Sequence, residues 1–366
     1  MALFGQTAAA SASATAGDLS KDVDIPQGSL PEDSISDLSF NPANDILAVA
    51  SWDSKVYIYE ISNSGAVPKW FFKGEGPILC VAWSTDGMRL AAGDATGQVH
   101  IVDFRTAPAG GEVQPQKVKV HDDAVKCVRW FNTNNADYLA TGSWDKTVKM
   151  WDLQSSNPVA TLDCGERVYT MDVKKALPRN LMVIGTANRN IHMVDLNNPT
   201  KIAKTISSPL KWQTRVVSCF SDATGFAVGS IEGRCAIQYV EDKDTSLNFS
   251  FKCHRQQDPV SRDVSKVYSV NAISFHPQLG TFSTAGSDGT FHFWDKDAKH
   301  RLKGYPDVGG PITATAFSRN GDIFAYAISY DWTKGYSANT PQQPVKLKLH
   351  PVGPEECKPK PGTKKR

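Results

Sequence analysis

The chain has 366 residues, 40% of them hydrophobic, with a formal net charge of +2. No run approaches the roughly 18 consecutive apolar residues of a membrane span, which excludes a helical membrane protein. Seven cysteines without repeated spacing exclude a disulfide framework and point to a soluble protein of a reducing, intracellular compartment.

Residues 1–17 are rich in Ala and Ser and have no apolar signal core, so a disordered segment is expected. Asp18, Asp22, Asp24, Glu32, Asp33 and Asp37 follow, opposed only by Lys21. From residue 35 onward one pattern recurs: an alternating run (ISDLSF, ILCVAW, VKCVRW, VYTMDV, VVSCFS, VNAISF, ITATAF), a second run, then a turn and a third. The turn and third run read SWDSKVYIYE at 51–60, GDATGQVHIVD at 93–103, TGSWDKTVKMWD at 141–152 and GTANRNIHMVD at 185–195, then GSIEGRCAIQY at 229–239, TAGSDGTFHFWD at 284–295 and ISYDWTKG at 328–335. The turn positions Asp53, Thr96, Asp145, Asn188, Glu232, Asp288 and Asp331 are about 43 to 56 residues apart, close to the roughly 40–45 of repeats that each make one propeller blade. Period-two alternation bounded by Gly, Asn and Asp marks half-buried strands. The fold class is therefore all-β, a seven-bladed WD-repeat propeller over residues 18–352. In the last repeat PVKLKLHPV at 344–352 reads as the third strand, and a segment near 20–26 is expected to supply the fourth and close the ring. Residues 353–366 read as a basic, disordered tail.

The Trp-Asp pairs recur at the blade period and are read as structural, with His121, Ser143, Asp145 and Trp151 forming the hydrogen-bond set of blade 3. Cys253-His254 has no matching second pair, so no metal is expected. Without a phosphate loop, zinc helix or nucleophile elbow the reading is non-enzymatic, with no cofactor. The insertion at 241–266 is acidic first and basic afterwards, and Lys252, Arg255, Arg262, Lys299 and Lys303 flank blade 6 as a candidate basic patch for RNA or a partner. No aromatic platform is evident among these cations, so RNA contact would be through phosphate, independent of base sequence.

With the repeats laid out, PEDSISDLSF, SWDSKVYIYE, VIGTANRNIHMVDL, GSIEGRCAIQYV, GSDGTFHFWDKDAKHRLK and IFAYAISYDWTKG make the chain closely similar to the nuclear-pore poly(A) RNA export WD-repeat family, and MALFGQ and AGDLSKDV resemble its fungal members. A spindle-checkpoint WD-repeat family is the sister, but SYDWTKG and FWDKDAKHRLK look like the export family. The resemblance implies a scaffold in nuclear mRNA export, monomeric within a heteromeric complex at the nuclear pore and envelope and able to shuttle to the cytoplasm. Its partner would be a Phe-Gly nucleoporin, bound through a GLEBS-type acidic hairpin. Arg234, Trp294, Lys296 and Arg301 match the family's binding positions. Alternatives are binding of a related hairpin of checkpoint kinases, or substrate reception for a ubiquitin ligase. Val102-Asp103-Phe104-Arg105 lacks the Trp of the usual ligase-docking motif.

Overall fold

Alternating strands bury one face only when a second sheet covers it, so each repeat needs its neighbours. The computed structural model describes residues 16–62, 65–133, 136–261 and 263–361 and shows seven blade sheets, one per repeat, each of four antiparallel strands, with a short strand Gly111–Glu112 added parallel to the outer edge of blade 1. From inner to outer strand, blade 1 is Ile35–Phe40, Ile46–Ser51, Lys55–Ser62 and Gly65–Lys73, and blade 2 is Ile78–Trp83, Arg89–Asp94, Gln98–Asp103 and Gln116–Lys119. Blade 3 is Val125–Thr133, Ala136–Ser143, Thr147–Trp151 and Ala160–Asp163, and blade 4 is Val168–Ala176, Arg179–Thr186, Asn190–Asp195 and Lys204–Ser207. Blade 5 is Thr214–Cys219, Gly225–Ser230, Arg234–Tyr239 and Phe249–Lys252, and blade 6 is Val270–Phe275, Phe282–Gly286, Phe291–Asp295 and His300–Tyr305. Part of the 241–266 insertion is thus the outer strand of blade 5, and the rest carries a small hairpin, Arg255–Gln257 with Ser265–Val267.

Blade 7 is Ile312–Phe317, Ile323–Ile328, Lys346–Pro351 and, as expected, an N-terminal strand, Val23–Asp24, paired Val23 to Leu349. Its inner strand touches that of blade 1, which closes the ring. The core lies in the seams between blades. At the closing seam Leu47, Val49 and Tyr59 of blade 1 meet Ala325, Ala327, Leu347 and Leu349 of blade 7, where burial of each leucine contributes about 1.5–3 kcal/mol.

Both chain ends are held here by one buried group. His350 Nδ1 lies 2.6 Å from Asp22 Oδ1, and its Nε2 lies 3.1 Å from Glu356 Oε2. Burial alone would discharge the imidazole, but the two carboxylates outweigh it and raise its pKa to about 9. Burial likewise opposes ionisation of Glu356, yet bonds from His350 and the Gly353 N–H bring its pKa down to about 2. The expected disordered tail is thereby corrected for residues 353–361: Cys357 is buried, its carbonyl accepts from Thr281 Oγ1 at 2.7 Å, and the Lys360 N–H donates to Asp295 at 3.0 Å. Residues 1–15 and 362–366 lie outside the described residues.

Inside blade 3 the predicted hydrogen-bond set holds with one exchange. His121 Nδ1 is 2.7 Å from Asp145, but the hydroxyl between His and Trp belongs to Thr141, 2.8 Å from His121 Nε2 and accepting from Trp151 Nε1 at 2.9 Å. Ser143 caps the turn instead, accepting the Asp145 N–H at 3.0 Å. The reason is strand alternation: two positions nearer the turn, Ser143 is out of reach of a tryptophan at the far end of the next strand. Blade 6 repeats the relay with His254, Asp288, Thr284 and Trp294.

Candidate functional site

Every inner strand carries a bulge at its second residue, where the register skips one position. A bulged residue leaves the ladder and is re-aimed. Here the seven of them, Ser36, Leu79, Lys126, Tyr169, Arg215, Asn271 and Thr313, ring the mouth of the central channel. The ring includes two cations and no acid. Around it stand Trp52, Trp144 and Trp332, each in the turn between second and third strands, together with Arg167, Tyr330 and Asp331. The cavity they enclose is about 400 Å³.

Trp52 and Trp332 pack with ring centroids 4.2 Å apart. The Asp331 carboxylate accepts from Ser287, Asn271 and Thr333, and its backbone carbonyl accepts from Arg215 Nη2 at 3.0 Å. Four buried polar atoms of this mouth have no protein partner among the described residues: Trp144 Nε1, Trp332 Nε1, Thr214 Oγ1 and Asn271 Oδ1. A buried polar atom without a partner is costly. Two indole donors beside Lys126, Arg167 and Arg215 suit carboxylate oxygens on an incoming chain. Farther along the inner strands Arg129 lines the channel, its Nε 3.2 Å from Asp172 and its Nη1 3.9 Å from Asp37.

Of the residues predicted from the family resemblance, Trp294 pairs in register with Arg301 and lies two residues from Lys296, whereas Arg234 stands apart. Arg234 begins the third strand of blade 5, beside the turn, whereas Lys296 follows the third strand of blade 6 at the opposite end. A strand of five or six residues separates those levels by roughly 17 Å. Lys296 is only 7% exposed, its Nζ is 2.7 Å from Asp297 and lies over the Phe220 ring at 5.0 Å. Burial disfavours its charge, but the bond to Asp297 more than offsets this and holds the ammonium above its ordinary range. Trp294 is the buried tryptophan of the blade 6 relay. Both are packed in the seam between blades 5 and 6.

Arg234, on the third strand of blade 5, and Arg301, on the outer strand of blade 6, are half-buried. Phe249 and Phe251 lie half-exposed on the outer strand of blade 5, with the Phe251 ring tilted against Trp294 at a centroid distance of 4.4 Å. Lys252 pairs in register with Arg234, and Lys299 Nζ sits 5.0 Å from the Phe249 ring. Aromatic side chains are thus interleaved with the cations after all; the sequence reading missed them because Phe249 and Phe251 lie in a strand taken for an insertion loop. Arg234 and Arg255 share Glu232, at 3.2 and 3.9 Å. Arg301 Nε and the neighbouring His292 Nδ1 are buried without partners among the described residues. Burial, then the nearby His254 and Arg301, push His292 down to about 3, so it is neutral. Lys303 leaves the predicted patch for an ion pair with Glu356 at 3.2 Å, and Arg262 lies outside the described residues.

The mouth is hard to read from the sequence because its tryptophans look like those of the relays. Trp151 and Trp294 lie at the ends of third strands and are buried, whereas Trp52, Trp144 and Trp332, the last followed by Thr and not Asp, sit in turns and face the axis. The second residue of each alternating run was the available signal.

Among known proteins, a family model described as "WD domain, G-beta repeat" matches residues 247–295, and the "Anaphase-promoting complex subunit 4 WD40 domain" model matches 38–133. The chain is 58% identical to "mRNA export factor GLE2" of Chaetomium thermophilum, covering 100% of this chain and 99% of that one. It is 53% identical to "Poly(A)+ RNA export protein" of Schizosaccharomyces pombe, covering 99% of each, and 41% identical to "Protein Rae1" of Drosophila melanogaster, covering 89% and 93%. Among solved structures, the WD40 β-propeller domain of Doa1 superposes with a TM-score of 0.66 at 18% identity, covering 88% of this chain and 94% of that one, a likeness of fold alone.

Proposed function

The chain belongs to the mRNA export factor family of WD-repeat propellers, and from that membership we propose that it is a non-enzymatic scaffold at the nuclear pore whose channel mouth receives a GLEBS-type acidic hairpin of a Phe-Gly nucleoporin. The observation that carries this reading is the combination of unpartnered indole donors with Lys126, Arg167 and Arg215 in one aromatic-walled cavity. Carboxylates at a hairpin tip would satisfy the indoles and meet the ring cations. Each charge-assisted bond sheltered in this way contributes on the order of 1.5–3 kcal/mol.

Calorimetry with a synthetic acidic hairpin tests the assignment. Arg215→Glu, on an accessible lumen residue, weakens binding at least about tenfold, equivalent to roughly 1.4 kcal/mol, without lowering the thermal midpoint. An affinity insensitive to Arg215→Glu and Arg167→Glu would place the hairpin elsewhere.

A second surface supports RNA contact. Phe249, Lys252, Lys299, Arg234 and Arg301 combine a stacking face with phosphate-binding cations, an arrangement that tolerates any base. Its affinity for a uridine oligonucleotide falls as salt rises.

A further inference from the structure

The described chain joins the mouth to an exposed loop that the proposed binding reading leaves unused. Two Ser-Pro or Thr-Pro dipeptides occur in the sequence, Ser208-Pro209 and Thr340-Pro341. Ser208 is only 7% exposed, and its hydroxyl accepts the Leu210 N–H at 3.3 Å. Thr340 is exposed at the tip of the irregular segment between the second and third strands of blade 7, where its carbonyl accepts the Gln343 N–H at 2.9 Å in a tight turn. One of the two sites is open to a kinase.

We infer that Thr340 is a phosphate-acceptor site for a proline-directed kinase, and that its phosphate detaches this segment and weakens the channel mouth for acidic ligands. In the transfer the Thr340 hydroxyl oxygen bonds to the γ-phosphorus of ATP, the bond to the β-phosphate oxygen breaks, ADP leaves, and the hydroxyl proton passes to the kinase's base.

The path to the mouth is short and continuous. Asn339 Nδ2, next to Thr340, donates to Asp33 Oδ1 at 3.3 Å. The Ser34 N–H donates to the same Asp33 at 2.6 Å, and the Ser34 carbonyl accepts the N–H of Trp52, a mouth residue, at 2.9 Å. At its other end the segment is clamped by Tyr330, whose hydroxyl donates to the Gly335 carbonyl at 2.8 Å and accepts the Lys334 N–H at 3.1 Å. Between the segment and the 27–34 loop lies a groove of about 500 Å³ bordered by Glu32 and Asp33. A phosphate of about −1.5 to −2 charge placed beside these two carboxylates is repelled by them. The Asn339 to Asp33 bond then breaks, and negative charge is added next to a site that selects carboxylates.

The loss of affinity rests on the hairpin reading above, whereas acceptance of phosphate and release of the segment do not. The test uses the full chain treated with a proline-directed kinase and ATP, with Thr340→Ala alongside. Peptide mass mapping is expected to find phosphate on Thr340 and none on Ser208, and trypsin to cut after Lys334 at least threefold faster in the phosphorylated protein. The synthetic acidic hairpin should bind it about fivefold more weakly, and Thr340→Ala should abolish all three changes. Absence of phosphate on Thr340 overturns the inference, as does phosphate with an unchanged tryptic rate or an unchanged hairpin affinity. If the unmodified protein does not bind the hairpin, the mouth reading fails and the tryptic rate alone decides the Thr340 site.

Discussion

At the scale of single residues, a hydroxyl that serves two neighbours carries more of a blade than one that caps a turn. Thr141 accepts from Trp151 and meets His121, so Thr141→Val strands two buried groups and is expected to cost about 1–3 kcal/mol. Ser143→Ala removes a turn bond and is expected to cost about 1 kcal/mol or less. Urea unfolding with unchanged slope measures both, and a larger loss from Ser143→Ala would reverse the assignment. The sequence reveals the type of residue a blade uses but not its position. His121 and His254 enter from the connection before their blades, yet in blade 2 the relay histidine is His100 on the third strand, 2.8 Å from Asp94. Gly74 makes this possible, since a Cβ there would lie 2.6 Å from Ile78 Cδ1 and 3.2 Å from His100 Nε2. Blade 6 holds a histidine at both positions, and the surplus one, His292, is the neutral group behind Arg301.

At the scale of elements, blade 7 concentrates the consequences of joining two chain ends. Deleting residues 1–30 removes Val23–Asp24, Ile25, Leu30 and the Asp22 carboxylate together, and the thermal midpoint is expected to drop on the order of 10 °C. An unchanged midpoint would mean that the strand is dispensable. The latch also carries a pH signature. His350 has its pKa raised in the folded chain to about 9, so its contribution is complete below the unfolded value near 6.5 and is lost as pH rises through 9. Glu356, lowered to about 2, contributes fully above about 4.5 and is lost as pH falls through 2. His350→Gln should flatten the stability profile between pH 6.5 and 9, and a variant as steep as the parent would remove His350 from the latch. The need for a borrowed strand was legible in the sequence because the last repeat runs out of alternation. The order in 353–361 was not, because what holds that stretch is one buried imidazole and a carbonyl contact, and neither leaves a period.

At the scale of the whole molecule, two surfaces of different chemistry sit apart on one rigid ring. Substitutions on them should act independently. Lys299→Glu with Arg301→Glu is expected to weaken oligonucleotide binding and to flatten its dependence of log affinity on log salt by about 0.7 for each phosphate left without its cation, while hairpin affinity stays within twofold. Arg215→Glu should do the reverse. A fall in both affinities from either set would merge the two surfaces into one. The blade count was legible from periodicity, but the separation of Arg234 from Lys296 was not, since distance along the chain says nothing about which end of a blade a residue occupies. The mouth depends on a bulge in each inner strand, a feature of pairing between strands that no single run displays.

The strand that completes blade 7 precedes every other propeller strand in the chain, and its partner Lys346–Pro351 follows every other one. Contacts so distant in sequence carry a large loop-closure cost and form late. Until Lys346–Pro351 is made, the open edge of blade 7 and the apolar face of blade 1 have no partners, and a chain stopped before residue 346 has no way to cover them. The circular architecture therefore acts as a check on the ring: only a chain that has reached the third strand of blade 7 hides both faces, and one stopped earlier displays them to the chaperones and proteases that bind exposed apolar surface.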